Sequence, residues 1–142
     1  MYYRLTPNRL GRNRDALLRH FFGRPVRTSG NGASFCPRVN ISENHQDYSL
    51  VFELPGLDKG DIKISVAEGV LTVSGTRSPD GEKDQSDYVR NEILYGSFER
   101  SFRLPDTIDS EKISADYQSG LLVIRLPKTE KAKPRQIDVQ IK

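Results

Sequence analysis

The sequence predicts an all-β fold, an antiparallel β-sandwich, and three observations carry that expectation. Between Cys36 and Lys128 the apolar residues recur at every second position in a series of short runs, the period of a strand with one buried face. Turn-forming pairs separate the runs: Pro55-Gly56, Glu68-Gly69 and Ser119-Gly120. No part of this region sustains a helical stripe, so its many one-sided strands must bury their apolar faces against one another in two layers.

Each element follows in order. Val39 and Ile41 alternate with Arg38, Asn40 and Ser42 in a first strand. Tyr48, Leu50, Phe52 and Leu54 share one face of the second, with Ser49, Val51 and Glu53 opposite, and Pro55-Gly56 closes it. Ile62, Ile64 and Val66 alternate with Lys63 and Ser65 in a third, which Glu68-Gly69 turns into the run Val70-Leu-Thr-Val-Ser-Gly75. The polar run 78–87 cannot be core. It leads to Tyr88-Val89-Arg90, expected as a short strand at the end of a long excursion. Phe98, Phe102 and Leu104 mark the next strand, which stops at Pro105. Ile113, Ala115 and Tyr117 then pair with Leu122, Ile124 and Leu126 across the Ser119-Gly120 turn. Cys36 reads as a small, half-buried hydrophobe at the start of the first strand.

At 142 residues the chain has room for one domain and appendages. We expect an arm over residues 1–35, the sandwich over 36–128 and an extension over 129–142. Charge follows the same division. The arm has seven arginines against Asp15 alone, residues 36–124 carry a net charge of −7, and residues 125–142 carry +4. Such basic arms can grip nucleic acid, or they can meet the acidic bodies of neighbouring copies. In the arm, Leu17, Leu18, Phe21 and Phe22 fall on one side of a helix started by Asn13 and stopped by Gly23-Arg-Pro25. That helix is too short to fold alone. It either docks on its own domain or forms a mobile, sticky segment, and the Gly- and Ser-rich linker 28–34 favours the second.

The blocks Ala115-Asp-Tyr-Gln-Ser-Gly120-Leu-Leu, Phe98-Glu-Arg100-Ser-Phe102-Arg-Leu104-Pro105, Leu54-Pro55-Gly56-Leu57, Leu71-x-Val73-x-Gly75-x-Arg77 and the tail Ile137-Asp138-Val139 stand in the chain. Together they resemble the signature blocks of the small heat-shock protein family and its alpha-crystallin domain. Three positions depart from the family pattern: Thr76 stands where an acidic residue is usual, Ile93 where an arginine is usual, and Asn40 where aspartate is frequent. The resemblance implies an immunoglobulin-like sandwich with a partly helical or disordered N-terminal arm and an extended C-terminal tail. It also implies an ATP-independent chaperone that binds partially unfolded clients and assembles as a homo-oligomer of dimers.

The resemblance further implies where partners bind. Ile62, Ile64 and Val66 on one strand and Ile113, Ala115 and Tyr117 on another form a groove between two sheet edges, which accepts the tail of a neighbouring subunit. Ile137, Val139 and Ile141 fall on one face of an extended segment, which suits addition to a sheet edge. Ile141 also permits the register Val139-Gln-Ile141, and the alternative to a tail bound by a neighbour is a last strand of the chain's own sandwich. Residues 128–134 read as a charged, proline-bearing tether. By the same resemblance Arg100 sits at a dimer contact paired with carboxylates, and Tyr88, Val89, Arg90 and Glu92 form a segment exchanged between dimer partners. Leu17, Leu18, Phe21 and Phe22 become the client-binding face of the arm.

Enzymatic readings find little support. His20 and His45 stand at no ligand spacing with each other or with Cys36, and no GxxxxGK[ST] loop or GxSxG elbow is present. We therefore expect no metal, no cofactor and no small-molecule substrate. No run approaches the ~20 apolar residues of a membrane span, and the first residues lack the apolar core of a secretory signal, so a cytoplasmic location is expected. The competing class is a nucleic-acid-binding protein that uses the arginine arm. Its weakness is the acidic body, which shows no aromatic and basic sheet face. A co-chaperone-like binding module of the same sandwich type is a third class, and the tail motif argues against it.

Overall fold

The computed structural model describes residues 34–79 and 88–132. The arm positions Leu17, Leu18, Phe21 and Phe22 and the tail positions Ile137, Val139 and Ile141 lie outside the described residues. Seven strands form two antiparallel sheets. β1 (Val39–Glu43), β2 (Asp47–Glu53), β7 (Leu121–Pro127) and β6 (Ser114–Gln118) make a four-stranded sheet in that order; β3 (Ile62–Ala67), β4 (Val70–Arg77) and β5 (Gly96–Arg103) make a three-stranded one.

The alternation of the sequence is the alternation of burial. Leu50, Phe52 and Leu54 from β2 and its end meet Leu122, Ile124 and Leu126 from β7, and the other sheet contributes Leu71, Val73, Phe98 and Phe102. The Phe52 and Phe102 rings join the layers edge to face, with centroids 5.8 Å apart. Each such side chain contributes about 1.5–3 kcal/mol when fully buried, so β2, β4, β5 and β7 hold the fold. Two tight hairpins set the register. Glu68 and Gly69 between β3 and β4, like Ser119 and Gly120 between β6 and β7, all have positive φ, as two-residue turns matched to strand twist require.

Three expectations need correction. Tyr88–Arg90 is not a strand in the single chain, because nothing in the described structure pairs with it. Cys36 is exposed rather than half-buried, because the following Pro37 turns inward in its place. The tether does not begin at Lys128. That ammonium group donates to Glu43 Oε1 at 2.7 Å and to the Asn44 carbonyl at 2.9 Å, in a largely buried pair. Thr129 N–H then donates to the Thr107 carbonyl, and Glu130–Ala132 forms a 3-10 turn.

Candidate functional site

A sandwich with open edges must guard them against pairing with other chains, and the two long sides here are treated differently. On the β1/β5 side, Arg100 alternates with Phe98 and Phe102 on the inner face of edge strand β5. Its guanidinium donates to the Pro37 carbonyl at 2.7 Å and to Cys36 Sγ at 3.5 Å. Phe35 lies 5.3 Å from the Phe98 ring, and its N–H donates to the Ser97 carbonyl. An inward-pointing charge and the docked residues 34–37 therefore cover this edge. Within the single chain the Arg100 partners are a carbonyl and a thiol, and the structure does not bring it to Arg90 or Glu92, which pair with each other at 3.2 Å.

Among the described residues the β3/β6 side carries no such guard. Ile62, Ile64 and Val66 face inward along the outer edge of one sheet, yet Ile64 is 36% exposed and Val66 39%. A cleft of about 690 Å³ runs between this strand and β6, lined by Lys59, Ile62, Ile64, Ala115, Tyr117 and Leu122 among others. Val66 and Ile113, expected as groove residues, continue the two walls beyond the cleft, and Ile113 packs half-buried on the core. The start of β3 lies beside the end of β6, because the loop between β2 and β3 is tied there. Leu54 N–H donates to the Gly120 carbonyl, and the Tyr117 hydroxyl lies 2.8 Å from the Leu54 carbonyl and 2.9 Å from that of Leu57.

Tyr117 thus has a task that its place in the apolar alternation did not announce. A hydroxyl has one proton, which these two carbonyls share, and the ring forms part of the groove wall while its oxygen fastens the loop beneath. Tyr117→Phe is expected to cost about 1–2 kcal/mol by leaving both carbonyls without that donor. Thermal unfolding should show a midpoint lower by roughly 5–10 °C, since a domain of this size moves about 4–8 °C per kcal/mol. An unchanged midpoint would mean that the hydroxyl does not secure the loop.

At the other end of the groove, the turn Ser110–Lys112 feeds β6. Lys112 Nζ lies 3.0 Å from Asp109 Oδ2, and this hydrogen bond holds the Asp109 carboxyl below its usual range and the Lys112 ammonium above its own. The stabilisation from Asp109 is present above the ordinary carboxylate range and fades as pH falls through the lowered value. That from Lys112 is lost only at a pH above the ordinary lysine range.

Sequence reasoning also passed over Arg77, which entered only as the end of a motif. Its Nε donates to the Leu94 carbonyl at 2.9 Å and Nη2 donates to the same oxygen, while Nη1 reaches the Pro55 carbonyl at 3.3 Å. The guanidinium carbon also lies 4.1 Å from the Phe35 ring centroid. Among the described residues no group of three His, Cys, Asp or Glu side chains could hold a metal, and no helix is long and apolar enough to cross a membrane.

A groove between two sheet edges is a surface for capturing an extended chain, and comparisons with known proteins agree with the architecture. The model of the Hsp20/alpha crystallin family matches residues 40–142. The chain is 36% identical over 126 residues to small heat shock protein C2 of Rickettsia felis, covering 89% of this chain and 81% of that one. It is similar to the solved structure of a small heat-shock protein from Xylella fastidiosa, with 36% identity and a TM-score of 0.65 over 75% of this chain and 98% of that one. Heat shock protein 16.0 from Schizosaccharomyces pombe is similar as well, with 32% identity and a TM-score of 0.64 over 76% and 99%. With a two-sheet sandwich, an edge-strand groove and matches that span most of its length, the chain belongs to the Hsp20/alpha crystallin family of small heat shock proteins.

Proposed function

We infer that this protein is an ATP-independent holdase of the cytoplasm, which keeps partially unfolded proteins from aggregating and assembles as an oligomer of dimers. The observation that carries this reading is the unguarded β3/β6 groove. Its walls expose apolar side chains at alternate positions, while on the opposite side residues 34–37 cover the β5 edge. Ile137 and Val139, or Val139 and Ile141, would bury in that groove as an added strand from a neighbouring copy. The segment holding Tyr88, Val89, Arg90 and Glu92 would pair with a second copy at the open edge of β1. Arg100 would stand at that contact, where a carboxylate of the assembly could replace its present partners. The arm face of Leu17, Leu18, Phe21 and Phe22 would supply adhesive surface for clients.

The test is a heat-denatured model enzyme followed by light scattering. Near-stoichiometric protein should hold the enzyme in solution, equally with and without ATP, and deletion of residues 1–35 should abolish most of that protection while leaving a β-rich species. No protection at any temperature would sink the reading. Fluorescence anisotropy on RNA and DNA oligomers at two salt concentrations separates the competing class. Submicromolar binding at physiological salt that vanishes with the arm, with no protection of the enzyme, would favour a nucleic-acid protein.

A further inference from the structure

The segment that precedes β5 combines two features that are seldom found together. Its apolar side chains stand in solvent, with Ile93 62% and Leu94 63% exposed and Val89 fully so. A loop left to itself would hide them or move freely. Its backbone is nevertheless pinned, because two nitrogens of Arg77 donate to the single Leu94 carbonyl oxygen. The local geometry makes this contact possible. Arg77 is the last residue of β4 and lies opposite Gly96, the first residue of β5. Gly96 has φ +115° and no side chain, so the chain bends at the strand entrance and the guanidinium passes to the carbonyl two residues earlier. The same guanidinium reaches the Pro55 carbonyl and stacks over Phe35, where the arm joins the domain.

The geometry points to Arg77 as the positioning residue of the dimer contact: it holds the 88–95 segment in one conformation so that Ile93 and Leu94 are presented to a second copy of this chain. This rests on the dimer reading above. A docking element fixed beforehand loses less freedom on binding, so the fork on Leu94 strengthens a contact that Arg77 itself need not touch. Val89, Ile93 and Leu94 are all exposed, so the presented surface is apolar. Because Phe35 rests on the same guanidinium, release of the arm base and loosening of the dimer segment are coupled. Lysine cannot replace arginine here, since one ammonium cannot place two parallel donors on an oxygen while also reaching Pro55 and the ring.

Arg77→Lys in the full-length chain tests the inference, with three measurements against wild type. Exchange of isotopically labelled for unlabelled subunits, followed by native mass spectrometry, is expected to run about tenfold faster. Hydrogen exchange should rise together at residues 91–95 and 34–36, and the thermal midpoint of the sandwich should move by only a few degrees. Unchanged hydrogen exchange at 91–95 would overturn the inference, as would raised hydrogen exchange with an unaltered rate of subunit exchange. Faster subunit exchange that merely tracks a large drop in the midpoint would also overturn it, because the residue would then act through general stability. A wild-type chain that is monomeric at all concentrations would remove the dimer reading itself, an outcome distinct from the others.

Discussion

Gly75→Ala is expected to lower the unfolding midpoint of the sandwich by about 10–20 °C, while Gly60→Ala leaves it nearly unchanged. Gly75 faces the core side of β4, in register with Ile62 on β3 and Phe98 on β5. A methyl group there would lie 2.8 Å from the Phe98 ring and closer still to the Asp61 carbonyl oxygen. No real Cβ accepts such contacts, and the Asp61 backbone cannot rotate away as a long side chain could. The sheet must open at the β3 entrance or the Phe98 ring must leave its place against Phe35. Overpacking of this kind typically costs about 1–3 kcal/mol. At Gly60 an added methyl would meet nothing within 4 Å, which makes it a matched control one turn away. Circular dichroism suits the measurement, since the chain has no tryptophan. Equal midpoints for the two variants would show that β3 does not approach β4 this closely. Loss of the β3 entrance would also remove Ile62 from the groove wall, so binding should fail together with stability.

The strand pattern was legible because burial in a sandwich repeats every two residues and its hairpin turns require particular residues. Leu50, Phe52, Leu122 and Ile124 announce their positions by alternation alone, and Glu68-Gly69 and Ser119-Gly120 announce the turns. What alternation cannot report is where a side chain's polar end goes. Tyr117 reads as one more apolar wall residue, yet its hydroxyl fastens a loop more than 50 residues away in sequence. Lys128 reads as the first residue of a charged tether, yet its ammonium is enclosed by Glu43 and the Asn44 carbonyl and lies 4.8 Å from the Tyr48 ring. Tyr88–Arg90 has the composition of a strand but no neighbour within the described chain, and a strand exists only where its backbone is paired. Alternation did not mark the groove walls either, and only the family resemblance singled them out; in the structure Ile62, Ile64, Ala115 and Tyr117 line one cleft between the edge strands β3 and β6.

Ile137→Ala combined with Val139→Ala is expected to reduce the large assembly to dimers without weakening the sandwich. The core is a cluster contributed by the strands of both sheets, with Leu50, Phe52, Leu71, Val73, Ile124 and Leu126 fully buried in it, and the double variant alters none of these residues. The groove remains open in the same structure, with Ile64 and Val66 still partly in solvent. Two branched side chains entering it contribute about 3–6 kcal/mol before the cost of ordering the tail, so a single tail binds weakly. An assembly held by many such links depends on effective concentration and fails together when each link loses two to four orders of magnitude in affinity. Light scattering coupled to size exclusion should therefore report a dimer mass for the double variant at concentrations where the wild type is large. Its thermal midpoint should lie within a few degrees of that of the full-length wild-type chain. If the mass stays large, these residues are not links between subunits. If the mass falls and the sandwich melts early, the tail is a strand of its own domain, and the groove must then receive some other extended chain.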